Sequence, residues 1–201
     1  MWEKLFLYNE KVEADTVPSL KLISFPFAKD SWRPLCQLNC FAVQNDGLYF
    51  RFKPFEAEPK KGESGILSGS ALSISLSFPG KEDCLFISAD GYGNIECSTK
   101  VGRNLSEKIE VSKTIRGGDQ QGDYFLISIK IPFSLLDELF SVSSLNEGDK
   151  ILFNAFYTIL ENNSGYREHF AALFDKDSEK TPLKKLKNVE NLGVLTAVEF
   201  Y

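Results

Sequence analysis

Side chains of alternating character recur along the chain with a period of two, the signature of strands that bury one face. From Ala71 to Phe78, Leu72, Ile74, Leu76 and Phe78 fall on one side and Ala71, Ser73, Ser75 and Ser77 on the other. Leu48, Phe50 and Phe52 alternate with Tyr49, Arg51 and Lys53, and Phe125, Ile127, Ile129 and Ile131 with Tyr124, Leu126, Ser128 and Lys130. Val194, Thr196, Val198 and Phe200 close the chain in the same way. Further strands are expected over 19–25, 36–44, 83–89, 94–99, 107–115, 150–160 and 167–174. Ser73, Ser75 and Ser77, with Tyr49 and Arg51, are expected on a solvated face.

Turn residues punctuate these runs. Asn45-Asp46-Gly47 tolerates positive φ between two strands, Pro79-Gly80 follows Phe78, and Asp90-Gly91-Tyr92-Gly93 separates two more. Gly117 to Gly122 reads as a longer hairpin loop, and neighbouring strands are expected to be antiparallel. One short helix follows Pro132, with Phe133, Leu136, Leu139 and Phe140 on one face. Glu56–Ser70 and Asp175–Asn188 read as loops at strand ends, and no linker or repeat divides the chain. The expectation is one all-β domain over residues 1–201, an antiparallel two-sheet β-sandwich with one short helix.

Composition agrees and narrows the function. The 201 residues include 17 Phe, 7 Tyr and 2 Trp against a single Met, rings that suit pleated sheet. A net charge of −5 opposes nucleic acid and anionic lipid. No uncharged run approaches the roughly 18 apolar residues of a membrane span, and Glu3, Lys4, Glu10 and Lys11 interrupt the N-terminal apolar stretch. A cytoplasmic chain with no secretory signal and no membrane span is expected. Cys36 and Cys40, about 13 Å apart if on one strand, cannot bridge. Cys84 and Cys97 are open to pairing, but reduced buried thiols are the expectation.

Catalytic patterns are sparse. Ser68-Gly69-Ser70 lacks the spacing of a nucleophile elbow and precedes a strand. His169 is the only histidine, and no CxxC occurs, so neither a structural zinc site nor any other metal or cofactor is expected. Asp175-Lys176-Asp177 begins like a calcium loop, but Lys180 and Leu186 stand where Gly and Glu are required. The glycines at 117, 118 and 122 lead into no helix that could hold phosphate. Two glycosylation sequons, Asn104-Leu105-Ser106 and Asn162-Asn163-Ser164, are expected to be chance matches, since no secretory signal is expected. Paired carboxylates (Asp175 with Asp177, Asp119 with Asp123) or His169 leave a small hydrolase as a minor alternative.

Several motifs follow one another in a recognisable order: Ser31-Trp32, Gly47 to Phe52, Ser70 to Phe78, Phe86 to Gly93 with Arg103 beyond, Ile131-Pro132-Phe133, Asn154 to Tyr157, Glu168-His169-Phe170 and Asn191 to Leu195. In that order and spacing they resemble the family 9 carbohydrate-binding modules and the DOMON-like sandwiches. The resemblance spans about residues 30–201. It implies a two-sheet antiparallel sandwich that holds oligo- or polysaccharide without catalysis, by aromatic stacking and polar contacts, in some members with structural calcium. Where relatives carry an Asp-Ser…Glu signature, this chain has Gly69-Ser70-Ala71-Leu72-Ser73, and Trp2 and Trp32 are its only tryptophans. The implied sugar site is therefore altered or lost.

The candidate binding residues are Trp32, Tyr92, Arg103, Tyr166, Arg167 and His169. Trp32 either stacks on a ligand or plugs the core. Arg103 either binds hydroxyls or forms a structural ion pair. His169, with Tyr166 and Arg167, either lines a site or is held in the structure by hydrogen bonds. Tyr92, flanked by glycines, is an exposed contact residue. A protein-interaction domain on the same fold, self-associating or holding another protein, is the second reading.

Overall fold

A computed structural model describes residues 3–24, 36–160, 167–173 and 189–200. The chain is mostly β, with one α-helix among the described residues. The strands are β1 (Glu3–Tyr8), β2 (Ser19–Lys21), β3 (Ile23–Ser24), β4 (Cys36–Val43), β5 (Gly47–Pro54), β6 (Ala71–Ser77) and β7 (Leu85–Asp90). They continue with β8 (Ile95–Thr99), β9 (Glu110–Val111), β10 (Ile115–Asp119) and β11 (Gly122–Pro132). After helix α1 (Phe133–Phe140) come β12 (Lys150–Leu160), β13 (Arg167–Ala172) and β14 (Gly193–Glu199).

One hydrogen-bonded path runs β10-β11-β5-β4-β1-β14-β12-β6-β7-β8. On that path β5 and β12 are four ladder steps apart, about 19 Å if the sheet were flat. Yet the rings of Phe50 and Phe153, one from each strand, stack at 5.1 Å. The sheet therefore folds back on itself, and the alternating apolar residues meet inside. Leu48, Phe50 and Phe52 belong to one core cluster with Ile74, Ile127, Ile129, Phe153 and Leu195, all fully buried.

Strand pairing follows the turns. Asn45 takes φ 61 in the β4–β5 hairpin, where Val43 pairs with Gly47. The expected antiparallel neighbours hold except at β1, which runs parallel to both β4 and β14. It joins distant ends of the chain, so no local turn announces it. The 107–115 strand is not one element: a 3₁₀ turn (Ser106–Lys108) leads into two-residue β9 and then β10. The 117–122 loop is instead a tight hairpin in which Asp119 pairs with Gly122. Gly117 lies opposite Tyr124, and an added Cβ would come within 2.8 Å of its ring. The glycine is a groove for the tyrosine, not a break in the strand.

The serine face is a further correction. Ser73, Ser75 and Ser77 are buried, not solvated, as are Ser88, Asn154 and Thr158 on the same side of β6, β7 and β12. Short hydroxyl side chains suit this because they pair locally: Ser73 and Ser88 share a hydrogen bond of 2.9 Å across the ladder, and Ser77 Oγ donates to the Asp83 carbonyl at 2.6 Å. Tyr49 and Arg51 are also engaged. The Tyr49 ring stacks on Phe41 at 5.0 Å, its hydroxyl donates to Asp46, and Arg51 pairs with Asp15 at 3.1 Å.

Helix α1 begins after Pro132 and ends where Ser141 adopts φ 58, the left-handed cap. Phe133, Leu135, Leu136 and Phe140 are buried, Leu139 only partly. Phe140 meets Phe78 at 5.4 Å and so seats the helix at the Ser77 end of β6. Cys36, Cys40, Cys84 and Cys97 are buried, and none of the four is joined in a disulfide. No helix among the described residues is long and apolar enough to cross a membrane.

Candidate functional site

The two ends of the folded sheet differ in chemistry. Register places Cys36, Pro54, Ala71, Asp90 and the far end of β12 at one end. Val43, Ser77, Lys150 and α1 lie at the other.

At the first end the β7–β8 turn presents Tyr92. The buried Asp90 carboxylate organises the turn: Oδ1 accepts from the amides of Tyr92 and Asn94, each at 2.9 Å, and Oδ2 from the Asn94 side chain at 2.7 Å. Gly93 supplies φ +87. Tyr92 is 49% exposed, and its hydroxyl donates to the Pro59 carbonyl at 2.9 Å. Gly91 permits that contact, since a Cβ there would stand 2.4 Å from Pro59 Cβ and Cγ. An aromatic with a solvent-facing ring is thus fixed by both its backbone and its tip.

Pro59 belongs to the 55–70 loop, tied down by a group that sequence reading missed. The Glu56 carboxyl is buried, receiving the Tyr157 hydroxyl and, at 2.8 Å, that of Ser70. Ser70 Oγ accepts from the Lys60 amide at 2.7 Å, and the Ser70 amide donates to the Lys60 carbonyl at 2.8 Å. Burial pushes the Glu56 carboxyl above the usual range, against the lowering effect of the two hydroxyls and Lys60. The Tyr157 phenol rises for the same cause, with the Glu56 charge adding to it. Glu56 and Tyr157 are 101 positions apart, and no local pattern joins them.

Beside this lies the β10–β11 hairpin. Lys53 Nζ sits 4.1 Å from the Tyr124 ring centroid and 5.0 Å from that of Phe55, and pairs with Asp119. These residues are held by one another rather than spread in solvent.

On the far side stands β13. Phe170 pairs with Thr158, Thr158 with Ala71 and Ala71 with Asp90, so one ladder row leads from β13 to the Tyr92 turn. His169 pairs with Ile159 and, across a bulge, Arg167 with Leu160. Three ladder steps, about 14 Å, separate this strand from β7. The Thr158 hydroxyl on that row is buried with no hydrogen-bond partner among the described residues. Tyr92, Arg167 and His169 therefore share one end of the sheet. Trp32 and Tyr166 lie outside the described residues, as do Asp175 and Asp177.

Arg103 is at the opposite end. It follows the Thr99 end of β8, about 17 Å along the hairpin from the Tyr92 turn. Its guanidinium pairs with Glu138 on α1, which also receives Lys108. The two cations hold the Glu138 carboxyl below its ordinary range. Near the same end, Phe78, Pro79, Ser141 to Leu145, Asp149 and Lys150 line an open depression of about 340 Å³.

Among the described residues no cluster of three or more His, Cys, Asp or Glu side chains is disposed to hold a metal. Burial pushes the Cys40 and Cys97 thiols up to about 12, and the Cys36 thiol also rises, which opposes the thiolate a Cys nucleophile needs.

No protein-family model matches the chain, and no curated protein matches it. Solved structures do. A family 9 carbohydrate-binding module from Caldicellulosiruptor kristjanssonii in complex with cellotriose aligns with a TM-score of 0.67 at 12% identity, covering 99% of this chain and 95% of that one. The same organism's family 9 module in complex with glucose aligns equally well, covering 97% of its own chain. A protein from Bacteroides uniformis ATCC 8492, provisionally described as carbohydrate-binding, gives a TM-score of 0.71 at 13% identity over 98% of both chains. The chain shares the fold of these family 9 modules.

Proposed function

We propose that this protein is a non-catalytic, saccharide-binding domain with the two-layer sandwich of the family 9 and DOMON-like modules, its contact surface at the Tyr92 end. Fold alone does not assign function. The observation that carries the reading is the half-exposed Tyr92 ring, fixed by Asp90 behind it and Pro59 at its tip. A rigid aromatic face is what the C–H side of a pyranose stacks on, and its immobility spares the ordering cost of binding. Arg167 and His169 are the polar side chains proposed for the ligand hydroxyls, with Trp32 and Tyr166 as further aromatic contacts. The absence of the Asp-Ser…Glu signature, with Gly69-Ser70 in its place, makes the site different from that of the sugar-binding relatives.

Titration calorimetry with glucose, cellotriose and a panel of neutral and acidic oligosaccharides tests this. Binding heats that disappear in Tyr92→Ala and survive in Arg103→Ala support the reading. Loss in Arg103→Ala alone moves the site to the opposite end, and silence across the panel in the wild type refutes saccharide binding.

A protein-interaction role is the second reading, favoured by one observation. Phe200 is 50% exposed and meets Phe6 at 5.4 Å and Tyr8 at 5.5 Å, an aromatic group on the outer side of β1 and β14. Concentration-dependent sedimentation that Phe200→Ser abolishes supports it; a monomer at all concentrations counts against self-association.

A further inference from the structure

The ten-strand path has two ends, β10 and β8, and they are finished differently. At β8 the segment that follows covers the edge. The Cys97 amide donates to Ser106 Oγ at 2.9 Å, the Cys97 carbonyl accepts from the Leu105 amide at 2.8 Å, and the Thr99 amide donates to the Arg103 carbonyl at 3.1 Å. Nothing among the described residues does this for β10, which is exposed along its length except at Gly117. Its turn holds only Gln120 and Gln121, so Asp119 and Gly122 share the closing hydrogen bonds and the ladder alternates from there. Ile115, Gly117 and Asp119 therefore bond to β11. The backbone N–H and C=O of Arg116 and Gly118 point the other way and are unpaired among the described residues. An open edge with no proline in it is a template for another strand.

We propose that β10 pairs antiparallel with β10 of a second copy of this chain, across a two-fold axis at Gly117, joining the two sheets edge to edge. Arg116 of each copy then lies opposite Gly118 of the other, and each such pair exchanges both N–H···O bonds. The side chains select this occupant and this register. Arg116 and Asp123 are exposed and have no ion-pair partner among the described residues. Asp123 Oδ1 stands 2.7 Å from where a Cβ on Gly118 would be, so an arginine set against Gly118 of the second copy meets the Asp123 carboxylate beside it. On the other face Ile115, 58% exposed, falls diagonal to Gly117 of the second copy, across which that copy's Tyr124 ring lies. Two-fold symmetry supplies each contact twice. A register shift one way stacks Arg116 on Arg116, and the other way sets Arg116 against the Gln120 turn. The strand is complementary to itself, with a free charge and an exposed apolar side chain both answered in one register.

A five-residue edge is small beside the roughly 800 Å² per partner of a standard interface, so the expected dimer is weak and concentration-dependent. Sedimentation of the full chain over a concentration series reaching the millimolar range tests it. Arg116→Pro removes one outward N–H without touching the bonds to β11, and should abolish the dimer while the unfolding midpoint stays near that of the wild type. Arg116→Asp and Asp123→Arg should each raise the dimer dissociation constant about tenfold or more, because symmetry turns two attractions into repulsions at once. An equimolar mixture of these two variants should associate as the wild type does, since each charge then faces its opposite. In hydrogen exchange the Arg116 and Gly118 amides should gain protection as concentration rises. A chain that is monomeric throughout, a dimer that survives Arg116→Pro, or a mixture no more associated than its parts overturns the edge pairing; so does a dimer lost in Phe200→Ser and kept in Arg116→Pro. Should the proline variant fail to fold, the mixture of charge variants decides the matter. Edge pairing makes no use of the Tyr92 surface, so it and saccharide binding fail separately.

Discussion

Replacing Gly91 by Ala tests whether the Tyr92 turn is packed against the 55–70 loop as described. The new methyl would sit 2.4 Å from Pro59 Cβ and Cγ and 3.5 Å from the Phe125 ring. Ordinary contact begins near 3.4 Å, so the buried proline must retreat by about 1 Å, and flexible side chains cannot absorb the shift. Overpacking of this kind costs about 1–3 kcal/mol. The displaced Pro59 carbonyl would also lose the Tyr92 hydroxyl, about 1 kcal/mol more for a partly exposed hydrogen bond. The sum, about 2–4 kcal/mol, corresponds to a fall in Tm of roughly 4–16 °C for a chain of this size. Urea and thermal unfolding followed by circular dichroism would measure it. Two companions separate the terms. Tyr92→Phe should cost only the hydrogen bond, about 1 kcal/mol. Gly93→Ala, where φ is +87 and no atom lies within 4 Å, should cost about 1–2 kcal/mol from the backbone alone and leave Pro59 in place. Gly91→Ala with wild-type stability to within 0.5 kcal/mol would show that turn and loop do not touch, and would remove the basis for a rigid Tyr92.

Other perturbations test other parts of the account. Phe153→Ala removes one of the stacked rings that join the folded halves of the sheet and should cost about 3–5 kcal/mol in denaturant unfolding; a loss below 1 kcal/mol would contradict the fold-back. Asp46 accepts from Lys130 and Tyr49, which hold its carboxyl below the ordinary range, so its folded-state stabilisation is present above pH 3.8 and lost as pH falls through the lower folded value. The stability difference between wild type and Asp46→Asn should shrink across that acidic window; a difference that grows on acidification would reverse the assigned sign. Asp90→Ala leaves the Tyr92 and Asn94 amides without their acceptor and should destabilise by about 2–4 kcal/mol, read by thermal unfolding, with Tyr92→Ala far milder.

Much of this architecture was legible from residue order. The strands around Phe50 and Ile129 each bury one alternating set, and the turn before the first carries a residue that accepts positive φ, Asn45. What escaped was whatever depends on partners far along the chain. Glu3–Tyr8 carries two charges in its first two residues, and its parallel place between β4 and β14 is set by long-range pairing alone. Ser73 and Ser75 have the composition of a wet face yet are buried, Ser73 with its hydroxyl paired to Ser88 across the ladder, which periodicity cannot report. Gly117 and Gly118 read as a loop because glycine is rare in strands, yet the Tyr124 ring lies across the first of them.

The candidate site was half visible. Flanking glycines marked Tyr92 as exposed, and the register of β13 brings Arg167 and His169 to its end of the sheet. Arg103 shares their polarity but not their place, because the β7–β8 hairpin separates it from Tyr92 by its own length. Glu56 gave no signal at all: an acidic residue in a polar loop looks solvated until Tyr157 is found against it.

The most direct measurement is heteronuclear NMR of the isotopically labelled chain titrated with cellotriose and with whichever oligosaccharide gives heat. The account predicts shift changes concentrated at residues 56–60, 90–94 and 167–171, with 99–108 and α1 unmoved. Changes confined to the Arg103 and Glu138 end, or spectra that no saccharide alters, would contradict it.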